Sequence, residues 1–319
     1  MKRFNISSSL AGIIAAVCVT LPSPAVEAPE AKTQWTVRGH VPPDKFVIQS
    51  HRGAGELVPE NTQEAFELGW KLGTVPESDL RTTKDGVIVT FHDGNFKRTV
   101  KNVKPAMAKK GVVDITYAEL SKFDVGGWKG EEFNGRHVPK VSDIFKLMTG
   151  KPERLLHLDI KNIDLQQLAK EVREHKVEKQ VIFTTPKHDL MREWKKIVPE
   201  SQTLLWMGGT EEELKKRFEE LRAADFSGIT ELQIHVRLNT NSASAEPFNL
   251  SRDFIRATGE ELRGRKILFQ CLPWGVTDAK VYWQLLDLGV ESFATDFPKI
   301  TLQAVRDYYE QKSDSSQIK

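Results

Sequence analysis

Residues 77–93 read ESDLRTTKDGVIVTFHD. Glu77 and Asp79 stand two apart near the end of one extended run. A Lys84-Asp85-Gly86 turn follows, and the apolar run Val87–Phe91 returns to His92-Asp93. The pattern predicts a β-hairpin with two acids and a histidine at matching ends. Side chains at i and i+2 of a strand share a face, so Glu77 and Asp79 project together. The hairpin is either surface decoration or one wall of a site, and the flanking sequence decides between them.

Around it, short apolar runs alternate with helical patterns. Strands are expected at 46–50, 75–80, 155–160, 181–185, 203–207, 229–236, 267–272 and 291–296, with 87–91 as an added arm. Helices are expected at 63–72, 165–175, 188–197, 211–223, 254–262 and 279–288. Asn61 with Glu64 three residues on reads as a capping box for the first of these. Strand–helix alternation argues a parallel sheet. Eight strands in a chain of 319 residues favour closure into a (β/α)8 barrel of the TIM type, spanning 45–310. Residues 94–140, rich in Lys and Gly and carrying DVGGWKGEEFNGRHVP, break the rhythm. They read as a small insertion over one end of the barrel, partly ordered and not a separate domain.

The composition is that of an ordinary globular protein, 39 % hydrophobic and 28 % charged. The N-terminus reads MKRFNISSSLAGIIAAVCVTLPSPAVEA. Lys2 and Arg3 precede a short apolar run, Leu10–Leu21, and small residues follow. This is the pattern of a signal peptide over 1–25, with cleavage as late as 28, and it implies export to a periplasm or the medium. Residues 26–44 then form an N-terminal extension, and QKSDSSQIK at 311–319 a frayed tail. The formal charge of +2 is accounted for by Lys2 and Arg3, because the leader holds no acid. The remainder is neutral, with no basic block for nucleic acid. No stable membrane span is expected once the leader is gone. Cys271 is then the one cysteine left, so no intramolecular disulfide is possible, and it reads as a small core residue. Nothing in the sequence sets an oligomeric state.

In such a barrel, functional side chains gather at the C-terminal strand ends. The first strand ends in His51-Arg52-Gly53, the second around Glu77 and Asp79, the third in Asp159 and Lys161, the seventh in Pro273-Trp274 and the eighth in Thr295-Asp296. Three carboxylates at one mouth, Glu77, Asp79 and Asp159, cannot all ionise cheaply without a cation. Oxygen-only ligands select Ca²⁺ or Mg²⁺ over zinc. A divalent cation beside Arg52 and Lys161 makes a positive pocket suited to a phosphate ester. His51 and His92 are then the general acid–base pair. The rival reading is a cation-free network of these acids with Arg52 and Lys161. Trp274 either lines the pocket or packs the rim. His157 and His235 read as satisfied core histidines, Asp296 as an anchor for the last strand, and Glu60 is unassigned.

The ordered set HRGAGELVPENTQEAF (51–66), ESDLRTTKDGVIVTFHD (77–93), VGGWKGEEFNGRHVPKVSDIF (125–145), LDIK (158–161), PWGVTD (273–278) and GVESFATDFP (289–298) resembles the glycerophosphodiester phosphodiesterase family. The resemblance spans most of the chain. It implies a TIM barrel, one divalent cation on Glu77, Asp79 and Asp159, acid–base work by His51 and His92, and phosphate held by Arg52 and Lys161. It implies hydrolysis of small-molecule glycerophosphodiesters to an alcohol and glycerol 3-phosphate, directly or through a cyclic phosphate formed by the neighbouring glycerol hydroxyl. The chain departs from the family pattern in three places. Asp159 stands where the family has Glu. The 73–77 approach to Glu77 is one residue short and bears Pro76. Gly275 and Thr277 stand where the family favours Thr and Asn. Another head group, a lyso-lipid, a sugar phosphodiester, or binding without cleavage are the alternatives these departures leave open.

Overall fold

The computed structural model describes Met1 and residues 35–240 and 246–311. The expected signal peptide, part of the extension and all but the first residue of the tail lie outside them. Nine strands form one sheet: β1 Val47–Ser50, β2 Val75–Thr82, β3 Ile88–Thr90, β4 Leu156–Asn162, β5 Val181–Thr185, β6 Gln202–Met207, β7 Glu231–Val236, β8 Leu268–Pro273 and β9 Ser292–Thr295. β1 pairs in parallel with both β9 and β2, which closes eight strands into a barrel. β3 pairs antiparallel with β2, Leu80 opposite Thr90, as the hairpin arm.

A helix follows each barrel strand: α1 Gln63–Leu72, α2 Val141–Met148, α3 Leu165–Glu174, α4 His188–Ile197, α5 Glu211–Ala223, α6 Arg252–Gly264, α7 Ala279–Asp287 and α8 Pro298–Glu310. Their apolar spacing explains the packing. In α3, Leu165, Leu168, Ala169 and Val172 are the buried residues, and Asp164 caps the start by accepting from Gln167 N. These helices cover the outward residues of the strands, among them Ile48, Leu158, Phe183, Leu232, Phe269 and Cys271. Cys271 is fully buried and free, and burial pushes its thiol up. The inward residues are unusually polar. Register places Glu77 beside His157 and Asp79 beside Asp159. It likewise places Gln233 beside both Trp206 and Gln270.

Three departures from expectation have physical causes. The first helix is capped by Thr62, whose hydroxyl accepts from Ala65 N, and not by Asn61. Asn61 is turned away into the left-handed region (φ 55°) to serve Asp79. The 94–140 insertion builds an apolar core of its own on the hairpin, from Val89, Phe91, Phe96, Val112, Ile115, Leu120 and Val138. The described part of the extension packs on the barrel: Val37 joins its core, and the Arg263 guanidinium lies 3.7 Å from the Trp35 ring centre. Among the described residues no helix is long and apolar enough to cross a membrane.

The short approach to Glu77 now has an explanation. Thr74 Oγ1 donates to Gly69 O at 2.9 Å and meets Ser50 Oγ at 2.8 Å. Helix α1 closes on this corner through Gly69. A Cβ there would lie 2.4 Å from Gly53 O and 2.8 Å from Pro76 Cγ. Pro76 therefore fills a tight corner beside β1 and positions the next residue, Glu77.

Candidate active site

The turn after β1 sets the first wall. Arg52 adopts φ 53°, a conformation costly for a residue with a side chain. This aims its N–H at Glu77 Oε2, 2.7 Å away. Its guanidinium is held by both Glu60 oxygens at 3.1 Å. Glu60, unassigned from sequence, is therefore the clamp on Arg52, and it also accepts from Arg98 at 2.6 and 2.7 Å.

The hairpin sets the second wall. Phe91 N donates to Asp79 O, so the returning strand brings His92 beside Asp79. Arg81 pins the turn by donating to the His92 carbonyl at 2.7 and 3.1 Å. Thus all eight residues expected at the site meet at one barrel mouth. His51, Arg52, Glu77, His92, Asp159, Lys161 and Trp274 line a cavity of about 140 Å³, and Asp79 lies in the carboxylate cluster beneath.

Each histidine has a carboxylate partner on the same ring nitrogen. His51 Nδ1 lies 2.6 Å from Asp296 Oδ1, and His92 Nδ1 lies 2.8 Å from Asp93 Oδ1. A carboxylate only accepts, so Nδ1 carries the proton in both rings and each Nε2 is left for other partners. Asp296, expected only as a strand anchor, is thus the partner of His51. Burial lowers the His51 pKa, but the Asp296 hydrogen bond and the charges of Glu77 and Asp296 outweigh it, and the net shift is upward. Asp93 is held well below the usual carboxylate range: burial opposes this, and the hydrogen bonds of His92 and Arg98 overcome it. No sequence motif pairs residues 51 and 296; they follow the first and last barrel strands, which the expected closure makes neighbours.

Glu77, Asp79 and Asp159 each offer an oxygen within 4.8 Å of the others. Lys161 Nζ bridges two of them, 2.9 Å from Asp79 Oδ1 and 2.6 Å from Asp159 Oδ2. Asn61 Nδ2 donates to Asp79 Oδ2 at 2.7 Å. Glu77 Oε1 is buried and has no hydrogen-bond partner. Burial and the neighbouring Asp79 charge push the Glu77 carboxyl up to about 8. An orphaned buried oxygen among three mutually repelling acids fits a small oxygen-seeking cation.

His235, expected in the core, lines the cavity instead, stacked on Trp206 at 5.1 Å. Trp274 stands nearly perpendicular to the His51 and His235 rings, both with ring centres 5.5 Å away, so it lines the pocket and supports the rim together. A second cavity of about 260 Å³ adjoins, walled by His51, Glu60, Arg98, Trp128 and Trp274. Its Trp128 and Arg98 come from the insertion, which the sequence did not connect to the site.

The model of the glycerophosphoryl diester phosphodiesterase family matches residues 51–300. The chain is 29 % identical to a glycerophosphodiester phosphodiesterase of Caldanaerobacter subterraneus, over 82 % of this chain and 98 % of that one. It is 26 % identical to a human lysophospholipase D, over 92 % and 94 %. Among solved structures it resembles a glycerophosphodiester phosphodiesterase from Agrobacterium tumefaciens, with TM-score 0.61, 20 % identity, and 81 % and 99 % covered. It also resembles an Oleispira antarctica phosphodiesterase in complex with the product sn-glycerol 3-phosphate, with TM-score 0.59, 20 % identity, and 82 % and 96 % covered. The fold is theirs, and the chain belongs to the glycerophosphoryl diester phosphodiesterase family, a family of phosphoric diester hydrolases.

Proposed function

We propose that this chain hydrolyses glycerophosphodiesters to an alcohol and glycerol 3-phosphate, using one divalent cation, Ca²⁺ or Mg²⁺, and a pair of histidines. The observation that carries this reading is the pairing itself: two imidazoles, each backed by an aspartate on Nδ1, line one cavity beside a three-carboxylate cluster. Glu77, Asp79 and Asp159 would hold the cation. When bound, it polarises the phosphoryl oxygens and neutralises charge that builds there. Arg52 and Lys161 line the same cavity and bind the phosphate oxygens. His51 and His92 divide the proton work, one taking a proton from the attacking water and the other giving one to the leaving alcohol oxygen. On a cyclic-phosphate route the first proton comes instead from the neighbouring glycerol hydroxyl, and water then opens the cyclic phosphate. Asp296 and Asp93 hold the rings for this, and Trp274 packs against His51. The leader pattern read from the sequence supports a reaction outside the cytoplasm.

A second substrate class is favoured by one feature. The adjoining cavity of about 260 Å³ opens beside His51, giving space for a larger group such as that of a lyso-lipid. The human relative carries the name lysophospholipase D.

The test is turnover of glycerophosphocholine, glycerophosphoethanolamine and lysophosphatidylcholine, each with Ca²⁺, Mg²⁺ or chelator. His51→Ala and His92→Ala should each lower kcat by about two to four powers of ten. No product from any substrate with any cation contradicts the proposal, and tight binding of intact substrate would then select a binding protein.

A further inference from the structure

Below the cation cluster, the barrel interior holds a hydrogen-bond chain whose direction is set by the backbone. Ser292 Oγ lies 2.9 Å from the Val47 carbonyl. A carbonyl only accepts, so Ser292 spends its single proton there. Its oxygen therefore accepts from Gln270 Nε2 at 2.9 Å. That turns Gln270 Oε1 toward Gln233, whose Nε2 donates to it and, at 3.1 Å, to Gln49 Oε1. Gln233 Oε1 is left facing His235 Nε2 at 3.2 Å. An amide oxygen has no proton, so His235 carries its proton on Nε2. Nδ1 is a bare acceptor.

That acceptor is presented, not buried away. Nδ1 has no hydrogen-bond partner among the described residues; the half-buried ring lines the cavity, with Nδ1 beside Gly208. The ring is fixed by Trp206, stacked at 10°, and by Trp274, edge-on at 90°. Gly208 keeps the approach open, since a Cβ there would stand 3.0 Å from Nδ1. The ring stays neutral: burial, then the positive charges of His51, Arg237 and Arg217, push it down to about 4.

We propose that His235 Nδ1 accepts a hydrogen bond from a free hydroxyl of the substrate's glycerol part, making His235 a specificity-determining residue; this rests on the phosphodiesterase reading above. The chemistry separates the two ends of the substrate. A bare lone pair attracts an alcohol O–H and repels a phosphate oxygen. Arg52 and Lys161 in the same cavity do the opposite. Together they orient a hydroxylated phosphodiester in one direction, and the acceptor disfavours compounds whose hydroxyls are replaced by hydrogen or esterified.

Binding, not turnover, tests this, because the neighbouring hydroxyl is also a candidate nucleophile. Calorimetry on the full chain with Ca²⁺ or Mg²⁺ compares sn-glycerol 3-phosphate with propyl phosphate, which lacks both hydroxyls. The wild type should prefer the glycerol ester by about tenfold or more. His235→Phe keeps a flat ring against Trp206 and should shrink that preference to within about twofold, with propyl phosphate affinity unchanged. Gly208→Ala, which crowds Nδ1 but leaves the imidazole, should do the same and covers the case where the Phe variant fails to fold. A preference that stays as large in both variants, or in whichever folds, overturns the inference. If the wild type hydrolyses glycerophosphodiesters while this preference is unchanged, the inference fails alone. If the preference follows His235 but no diester is hydrolysed, only the hydrolytic reading fails.

Discussion

Replacing Asp296 by asparagine removes one charge and leaves the shape nearly intact. In the protein, Asp296 Oδ1 lies 2.6 Å from His51 Nδ1, and both side chains are about four-fifths covered. A charge-assisted hydrogen bond of this kind contributes about 1.5–3 kcal/mol. Losing it alone lowers the rate by about one to two powers of ten. Asparagine also offers an N–H to Nδ1, which favours the wrong tautomer and moves the His51 proton to Nε2. The tautomer effect can reach about four powers of ten in a comparable aspartate–histidine pair. The expected loss in kcat is therefore about two to four powers of ten. The pH profile should move as well. Asp296 raises the His51 pKa by hydrogen bond and by charge, so its removal moves the limb governed by His51 to lower pH. The backbone carbonyl of Asp296, which accepts from Glu56 N at 2.8 Å, is untouched, so thermal stability should change little. The assay is steady-state release of glycerol 3-phosphate from pH 5 to 10, with Tm as the folding control. A kcat within threefold of wild type and an unmoved profile would refute the positioning role and return Asp296 to a strand anchor.

Three further perturbations probe the frame. Glu231 is held protonated in the folded chain, since burial pushes it from 4.5 up to about 8. The unfolded chain ionises it near 4.5, so folding stability falls as pH rises through that window, by up to ~5 kcal/mol. Glu231→Gln should stabilise the protein increasingly from pH 5 to 8 in urea denaturation, and parallel pH curves for the two proteins would contradict this. Gly69→Ala should destabilise by about 1–3 kcal/mol although alanine favours helices, because its Cβ meets Gly53 O and Pro76; an unchanged urea midpoint would oppose the corner packing described above. Asn61→Ala frees Asp79 Oδ2 and Asp79 N from their partner and should weaken Ca²⁺ or Mg²⁺ binding about 10- to 100-fold by calorimetry, whereas an equal affinity would argue that Asn61 only shapes the turn.

The barrel was legible because short, mostly apolar strands alternate with helical patterns, and several of the strands end in the polar residues that build the site. The acid cluster and both histidines followed from strand ends and i, i+2 spacing. What escaped was partnership across the closed sheet. Barrel closure already makes the first and last strands neighbours, but nothing in sequence shows which side chains beyond their ends face each other, so the Asp296–His51 bond stayed hidden. His235 alternates inward like His157, yet periodicity carries no depth. His157 lies low against Thr184, fully buried, while His235 reaches the cavity. Asn61 shows a further limit. Its local pattern fits an N-cap, but a distant carboxylate claims the side chain and Thr62 caps the helix instead. The insertion was underread because its core forms only once Val89 and Phe91 of the hairpin are in place.

The most direct measurement strips the protein with chelator and follows sn-glycerol 3-phosphate release from glycerophosphocholine as Ca²⁺ or Mg²⁺ is restored, in wild type and in Glu77→Gln. The expected result is negligible release without cation, recovery that saturates at one cation per chain, and little recovery in the variant at the same concentration. Full activity in chelator, or equal recovery in both proteins, would contradict a cation held by Glu77, Asp79 and Asp159.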